Sequence, residues 1–344
     1  MTVLLNTLYV TTPEAYLRLE GETVCVMIGD EKRLQVPLHH LGAVVCLGDV
    51  MLSPALLGQC MKDGRSVVWL ERNGRFRARV EGPVNGNILL RQAQYRAADN
   101  AEKVQELSRA FLAGKLRNSR NVLLRGARDS DDDVERAALV QSARLVAGHL
   151  HKLSHAPDLD SLRGEEGSAA RFYFQSMQYL IRKPARNEFA FSARIRRPPT
   201  DPLNALLSFL YAILLNDCRS ALETVGLDPQ LGFLHTPRPG RMALALDLLE
   251  EFRSVIADRL ALTLVNRRQI QQEHFEPHEG GAVLLGEDGR KIVIGAYQER
   301  KQETLTHPVL EQQVQIGLLP HIQARLLARY LRDDAPAYVP YLHR

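Results

Sequence analysis

EGPVNGNI, residues 81–88, separates two kinds of hydrophobic pattern, and the fold is read from what lies on either side of it. Two glycines, a proline and two asparagines within eight residues are the punctuation of a linker. Before it the period is two. LLNTLYV, YLRLEGETVCVMIG, KRLQVPL, AVVCLG and SVVWLERNGRFRARV are short β-branched or alternating runs, broken by Gly-Glu, Gly-Asp, Pro and Asn-Gly turn signals. Beyond it the period changes to 3.6. The fold expected is α+β: a small N-terminal β domain over residues 1–80, a linker over 81–95, and a larger all-α domain over 96–344. One helix interrupts the β region at 53–63, with Ser53 as N-cap and Pro54 at the first helical position.

In the helical half, residues 89–114 and the following RNSRNVLLRGAR read as helices, with Asn100 as a break. Residues 108–128 hold six basic side chains and no acid, which suits either a phosphate-facing surface or a solvated face. Asp129 to Asp133 form an acidic turn that caps the next helix, 133–155. Another helix starts near Asp201, with Pro202 in its first turn. AVLLGEDGRKIVIGAY reads as a hairpin with Glu287, Asp288 and Gly289 at its tip, and residues 307–332 as a last amphipathic helical region. The tail DDAPAYVPYLHR is proline-rich and is assigned no element.

Composition narrows the function. The chain has 344 residues, 45% of them hydrophobic and 24% charged, ample for a core. Its net charge of +4 is mild, but only eight of the 44 basic residues are lysine. Arginine's planar fork takes phosphate bidentately, so this bias is compatible with a nucleic-acid partner, as it is with a GC-rich genome. Cys25, Cys46, Cys60 and Cys218 form no CxxC pair and read as reduced core cysteines of a cytoplasmic protein. No signal-peptide pattern and no run of about 18 apolar residues is found, which argues against a membrane partner. The absence of GxGxxG, a Walker A loop and a GxSxG elbow argues against nucleotide hydrolysis and serine acyl transfer.

Three stretches carry candidate chemistry. In GLDPQLGFLHTPRPGRMALALDLLEEFR (226–253) a turn-rich loop can fold His235 over the start of a helix whose Asp247 and Glu250, three apart, are neighbours. An imidazole with one or two carboxylates suits manganese or magnesium better than a closed zinc site. The same pattern fits a surface histidine and a helix with acids on its wet face, and a third ligand from elsewhere would decide. In RGEEGSAARFYFQSMQYLIRK (163–183), Glu165 and Glu166 stand where a helix begins, as capping acids or as catalytic ones, beside small residues that allow close approach. From 182 to 197 six of sixteen residues are basic, with Phe189 and Phe191 among them, a pattern that can track a nucleic-acid backbone. Arg182, Lys183, Arg186, Arg194, Arg196, Arg197 and the nearby Asn204 are the candidate DNA contacts.

Taken in order, EGSAARFYF, RIRRPPTDPLNALLSFLY, GLDPQLGFLH and DLLEEFR resemble the CRISPR-associated spacer-acquisition integrases, the first-numbered Cas protein family. VVCLGDVMLSP, GRSVVWLERNGRFRARV and GNILLRQAQYR are similar to that family's β domain and linker helix, and sequence style points toward its subtype I-C branch. The resemblance implies metal ligands Glu166, His235 and Glu250, with Asp247 supporting them or serving as an alternative ligand, and Mn2+ or Mg2+ as cofactor. It implies a homodimer formed through the β domains, a dimer of the second-numbered CRISPR-associated protein as partner, and double-stranded protospacer and repeat DNA as substrates. The chemistry implied is metal-dependent transesterification or cleavage of phosphodiesters. A metal-dependent nuclease of repair or of a transposon-like element, and a non-catalytic DNA-binding assembly protein, are the rival readings.

Overall fold

The computed structural model describes residues 7–71, 76–82 and 88–343. Its N-terminal part runs β1 (Thr7–Val10), β2 (Tyr16–Glu20), β3 (Thr23–Ile28), β4 (Glu31–Pro37), β5 (Ala43–Leu47), β6 (Met51–Leu52), α1 (Pro54–Lys62), β7 (Ser66–Leu70) and β8 (Phe76–Val80). These strands form two four-stranded sheets, ordered β1-β5-β7-β8 and β4-β3-β2-β6. Strands β1, β5 and β7 are parallel, and β8 closes that sheet antiparallel. AVVCL and SVVWL are nearly unbroken apolar runs because both faces of their sheet are covered. Val44, Cys46 and Val67 face the core of the β domain, while Val45, Leu47, Val68 and Leu70 face the helical core. Helix α1 starts as its sequence predicts: Pro54 is first, and the Ser53 hydroxyl accepts from Leu56 N at 3.2 Å.

The larger part is helical: α2 (Ile88–Asp99), α3 (Ala101–Asp129), α4 (Asp133–Leu153), α5 (Leu159–Gln175), α6 (Pro202–Val225), α7 (Ala243–Glu250), a π-helical turn (Arg253–Asp258) and α8 (Arg259–Asn266). It continues with β9 (Phe275–Pro277), β10 (Val283–Leu285), α9 (Glu287–Gln302), β11 (Thr304–Thr306), β12 (Gln313–Gln315) and α10 (Leu319–Leu331). Asn100, Asp132 and Asp201 cap α3, α4 and α6 with their side chains: the break read at Asn100, the acidic turn read as a cap and the helix start read near Asp201. Helix α6 is long and apolar enough to cross a membrane, but 72% of its most apolar window is buried inside the molecule, so it serves as the core helix.

Several local expectations are corrected. Helix α2 opens at Ile88, in keeping with the helix read from residue 89, and takes in the end of the 81–95 linker; residues 83–87 and the Asn73-Gly74 turn lie outside the described residues. The hairpin with Glu287–Gly289 at its tip does not form. Val283–Leu285 pairs instead with the preceding Phe275–Pro277, and Glu287 and Asp288 open α9, where acids meet the positive end of the helix dipole. KIVIGAY alternates like a strand, yet Val293, Tyr297 and Lys301 recur every four residues on the buried side of α9. The last helix starts at Leu319 rather than 307, after a β11–β12 hairpin. All four cysteines are free and buried.

Candidate active site

The loop from Gly226 to Met242 is shaped to deliver one histidine. Gly226 ends α6 in the left-handed conformation. At Gly232 a Cβ would stand 2.6 Å from the Ala243 carbonyl carbon and 2.7 Å from Asp247 Oδ2, so only glycine lets the loop lie against α7. That approach brings three amides onto one carboxylate. Phe233 N and Leu234 N donate to Asp247 Oδ2 at 2.6 and 3.0 Å, and His235 N donates to Oδ1 at 2.9 Å. The ring completes the set, with His235 Nδ1 at 2.7 Å from Asp247 Oδ1. A carboxylate oxygen can only accept there, so Nδ1 carries a proton and donates it, and Nε2 is the nitrogen left facing Glu250. Asp247 thus orients His235 and has no oxygen left to serve as an alternative ligand.

His235 Nε2 lies 3.8 Å from Glu250 Oε1, one turn along α7. Glu250 is 3% exposed and is held by Arg253 Nη1 at 3.1 Å and by Lys115 Nζ at 2.8 Å. Burial works against its charge, but Arg253, Lys115 and His235 prevail and hold the carboxyl down at about 2. The same Lys115 ammonium, from the middle of α3, also touches Glu166. Glu166 and Glu250 therefore share one ammonium, while His235 approaches Glu250 from its other oxygen. Its neighbour Glu165 turns the other way and pairs with His149 Nδ1 at 2.5 Å. Neither glutamate caps a helix: α5 begins at Leu159 behind Asp158, so both stand mid-helix.

The acids of the 241–260 stretch do not line a wet face. Asp247, Glu250, Ser254 and Asp258 are all buried, as is Glu251. Each carboxylate survives burial on its own donors. Glu251 takes Tyr338 Oη, Gln323 Nε2 and Tyr341 N, and Asp258 takes the hydroxyls of Tyr173 and Tyr211 at 2.8 and 2.6 Å. Burial still raises Glu251 to about 8 and Asp258 to about 6. The π-helical turn after α7 packs these groups into one bend, a backbone feature common at functional sites.

The basic segment 182–197 divides. Arg182, Arg196 and Arg197 are exposed. Lys183 pairs with Asp132, and Arg186 makes a two-pronged contact with Glu135 at 2.6 and 2.7 Å. Arg194 donates to Asn204 and Ser208, while Asn204, fully buried, ties Ala193 and Asp201. These last residues shape the loop. Phe189 and Phe191 are core side chains and offer no ring for stacking on a base. Arginines missed in the sequence stand nearer the histidine. Arg163 Nη2 holds Leu234 O at 2.7 Å and Thr236 Oγ1 at 3.1 Å, and Arg241 reaches Thr236 O. Burial lowers Arg241, and the positive charges of Arg238, Arg163 and Arg197 lower it further, as a gathering of like charges does. Their sequence signal is slight, because Arg163 and the 238–241 loop are 75 positions apart.

Among the described residues no three His, Cys, Asp or Glu side chains form a ready cation cage. The Lys115 ammonium pairs with both Glu166 and Glu250. The donors themselves suit a hard divalent ion: two carboxylates and an imidazole nitrogen. Glu250 Oε2 is buried and has the Lys115 ammonium at 2.8 Å as its partner.

The β domain and helical body together are a fold that solved structures share. A casposase bound to integration product matches with a TM-score of 0.82 at 20% identity over 97% of this chain and 93% of that one. A CAS1 protein from Thermotoga maritima matches with a TM-score of 0.82 at 23% identity over 98% of this chain and all of that one. The family model "CRISPR associated protein Cas1" matches residues 8–299. CRISPR-associated endonuclease Cas1 1 of Moorella thermoacetica is 54% identical over the full length of both chains, and CRISPR-associated endonuclease Cas1 2 of Rhodospirillum rubrum is 50% identical over 99% of each. The chain belongs to the Cas1 family.

Proposed function

We propose that this chain is a metal-dependent DNA integrase and endonuclease of CRISPR adaptation. The observation that carries the reading is that Lys115, from α3, pairs with both Glu166 of α5 and Glu250 of α7, and that His235 Nε2, from the loop, lies 3.8 Å from Glu250 Oε1. Those three side chains would hold Mn2+ or Mg2+. When bound, such an ion offsets negative charge on phosphoryl oxygens and favours deprotonation of an attacking hydroxyl. The reaction is transesterification: the 3′-oxygen of a protospacer end forms a bond to a repeat phosphorus, and the repeat's own 3′-oxygen leaves as a new hydroxyl. Water in place of the 3′-hydroxyl gives endonuclease cleavage.

The chain's residues have separate tasks. Asp247 fixes the His235 tautomer and aim. Arg253 keeps Glu250 ionised in its buried place. Arg163, Arg238, Arg241 and Arg197 take the DNA phosphates beside the site. Gly167, one residue beyond Glu166, has open space where a side chain would be, which suits close approach of a DNA backbone. The β domain, residues 1–80, would form the homodimer, and a Cas2 dimer would be the partner; the fold is shared with a chain of a Cas6-RT-Cas1–Cas2 complex at a TM-score of 0.84 and 22% identity, over all of this chain and 37% of that one. A cytoplasmic setting agrees with four unpaired cysteines.

The test is strand joining on a supercoiled repeat plasmid with Mn2+. Glu166→Gln, His235→Ala and Glu250→Gln should each lower joining by about 100-fold or more, and chelation should abolish it. Cleavage without joining would favour a nuclease outside CRISPR. DNA binding with neither would make the chain a scaffold.

A further inference from the structure

Lys115 occupies the position that the metal reading reserves for another cation. Its side chain is 12% exposed, it touches Glu166, and it lies 2.8 Å from Glu250 Oε2. Two carboxylates cannot share a confined site as anions without a counter-charge. Arg253 supplies part of it on the other oxygen of Glu250, but its guanidinium is also fixed over the Tyr211 ring at 4.9 Å. Lys115 has the flexible stem and compact head that can withdraw. A cavity of about 20 Å³ runs beside it, lined by Ala169, Ala170, Tyr173, Tyr211 and Asp258. Asp258 has tyrosine hydroxyls but, among the described residues, no basic side chain at salt-bridge distance.

We propose that Lys115 is a positioning residue that holds Glu166 and Glu250 together in the metal-free protein and is displaced from them by the divalent ion, so that it sets metal affinity by competition. The inference rests on the metal reading above. An ammonium and a dication cannot both stay in contact with the same oxygens, because like charges at that range in a partly buried site repel by far more than thermal energy. Binding of the ion therefore includes the work of moving Lys115. That lysine is an internal check against occupation of the site by weakly held ions.

The experiment titrates Mn2+ alone into the full chain by calorimetry, for wild type, Lys115→Met and Lys115→Arg, with the melting temperature of each metal-free protein. Lys115→Met should bind Mn2+ on the order of tenfold more tightly and melt lower without metal. Lys115→Arg, which keeps the charge, should show no gain. If Lys115→Met does not fold without metal, Lys115→Gln is measured instead by the rise in melting temperature that Mn2+ produces. Equal or weaker binding by the neutral variants, with a wild type that binds, overturns this proposal and leaves the metal site standing. Binding by the neutral variants alone supports it in its strongest form. No binding by any of them removes the metal reading itself, and this inference with it.

Discussion

Asp247 and the Glu165–Glu166 pair show how little residue type decides without surroundings. Asp247 has the spacing of a ligand, yet four donors saturate it. Asp247→Asn keeps an acceptor for the amides but weakens the hold on the ring, and should cost 10- to 100-fold in strand joining, roughly the loss typical of a group that orients a metal ligand. Glu165 and Glu166 are adjacent and chemically identical, yet one faces His149 and the other Lys115. Glu165→Gln should therefore leave joining within about threefold of wild type, while Glu166→Gln falls by about 100-fold. Equal losses in a side-by-side rate measurement would show that the partition between the two is wrong. The sequence contained both acids; the rotation of α5 that separates their roles came from packing.

At the level of elements, the helix starts were legible because their signals are local. Ser53 with Pro54, Asn100, Asp132 and Asp201 with Pro202 all cap within three residues of themselves. Misreadings arose where two periods compete. KIVIGAY is compatible with a strand until the buried face of α9 chooses a period of 3.6. The 182–197 segment looked like a uniform DNA-tracking strip, but Arg186, Arg194 and Asn204 are spent within the protein and both phenylalanines are in the core. In the proposed reading, the arginines around the 235–241 loop share the phosphates with the exposed Arg182, Arg196 and Arg197. Arg163→Ala, Arg238→Ala and Arg241→Ala should each weaken binding of DNA of any sequence and reduce the slope of log affinity against log salt by about one. A titration at four salt concentrations reads this directly, and unchanged slopes would move the DNA elsewhere on the surface.

Across the whole molecule, the proline-rich end of the chain is a strap over the catalytic helices. Asn118 on α3 donates to Tyr341 O and accepts from His343 N, and Asn121 donates to His343 O. Tyr338 and Tyr341 N close on Glu251, the residue after Glu250. Gly114 leaves room for Pro340, which a Cβ there would approach to 2.9 Å. Arg259 Nη1 stands 2.6 Å from His343 Nε2, so the imidazole accepts and is neutral. Burial, then Arg259, Arg300 and Arg125, hold it down at about 4. The folded value is below the ordinary histidine value of about 6.5, so the unfolded chain takes up the proton first. The stability that the strap contributes is complete above about pH 6.5 and is lost as pH falls toward 4. Melting temperatures across that range should fall less for His343→Gln than for wild type; parallel curves would show that His343 does not link the strap to pH.

Period-two runs, period-3.6 runs and the linker between them were enough to read an α+β chain with its β part first, because periodicity reports which side of each element is buried. Ordered motifs were enough to place the family. Which acid faces the cluster, which is saturated, and where Lys115 and Arg163 stand were decided only by the tertiary structure. Those roles depend on contacts between residues from 12 positions apart, as His235 with Asp247, to 135 apart, as Lys115 with Glu250, and distance along a chain contains no information about which side chains meet.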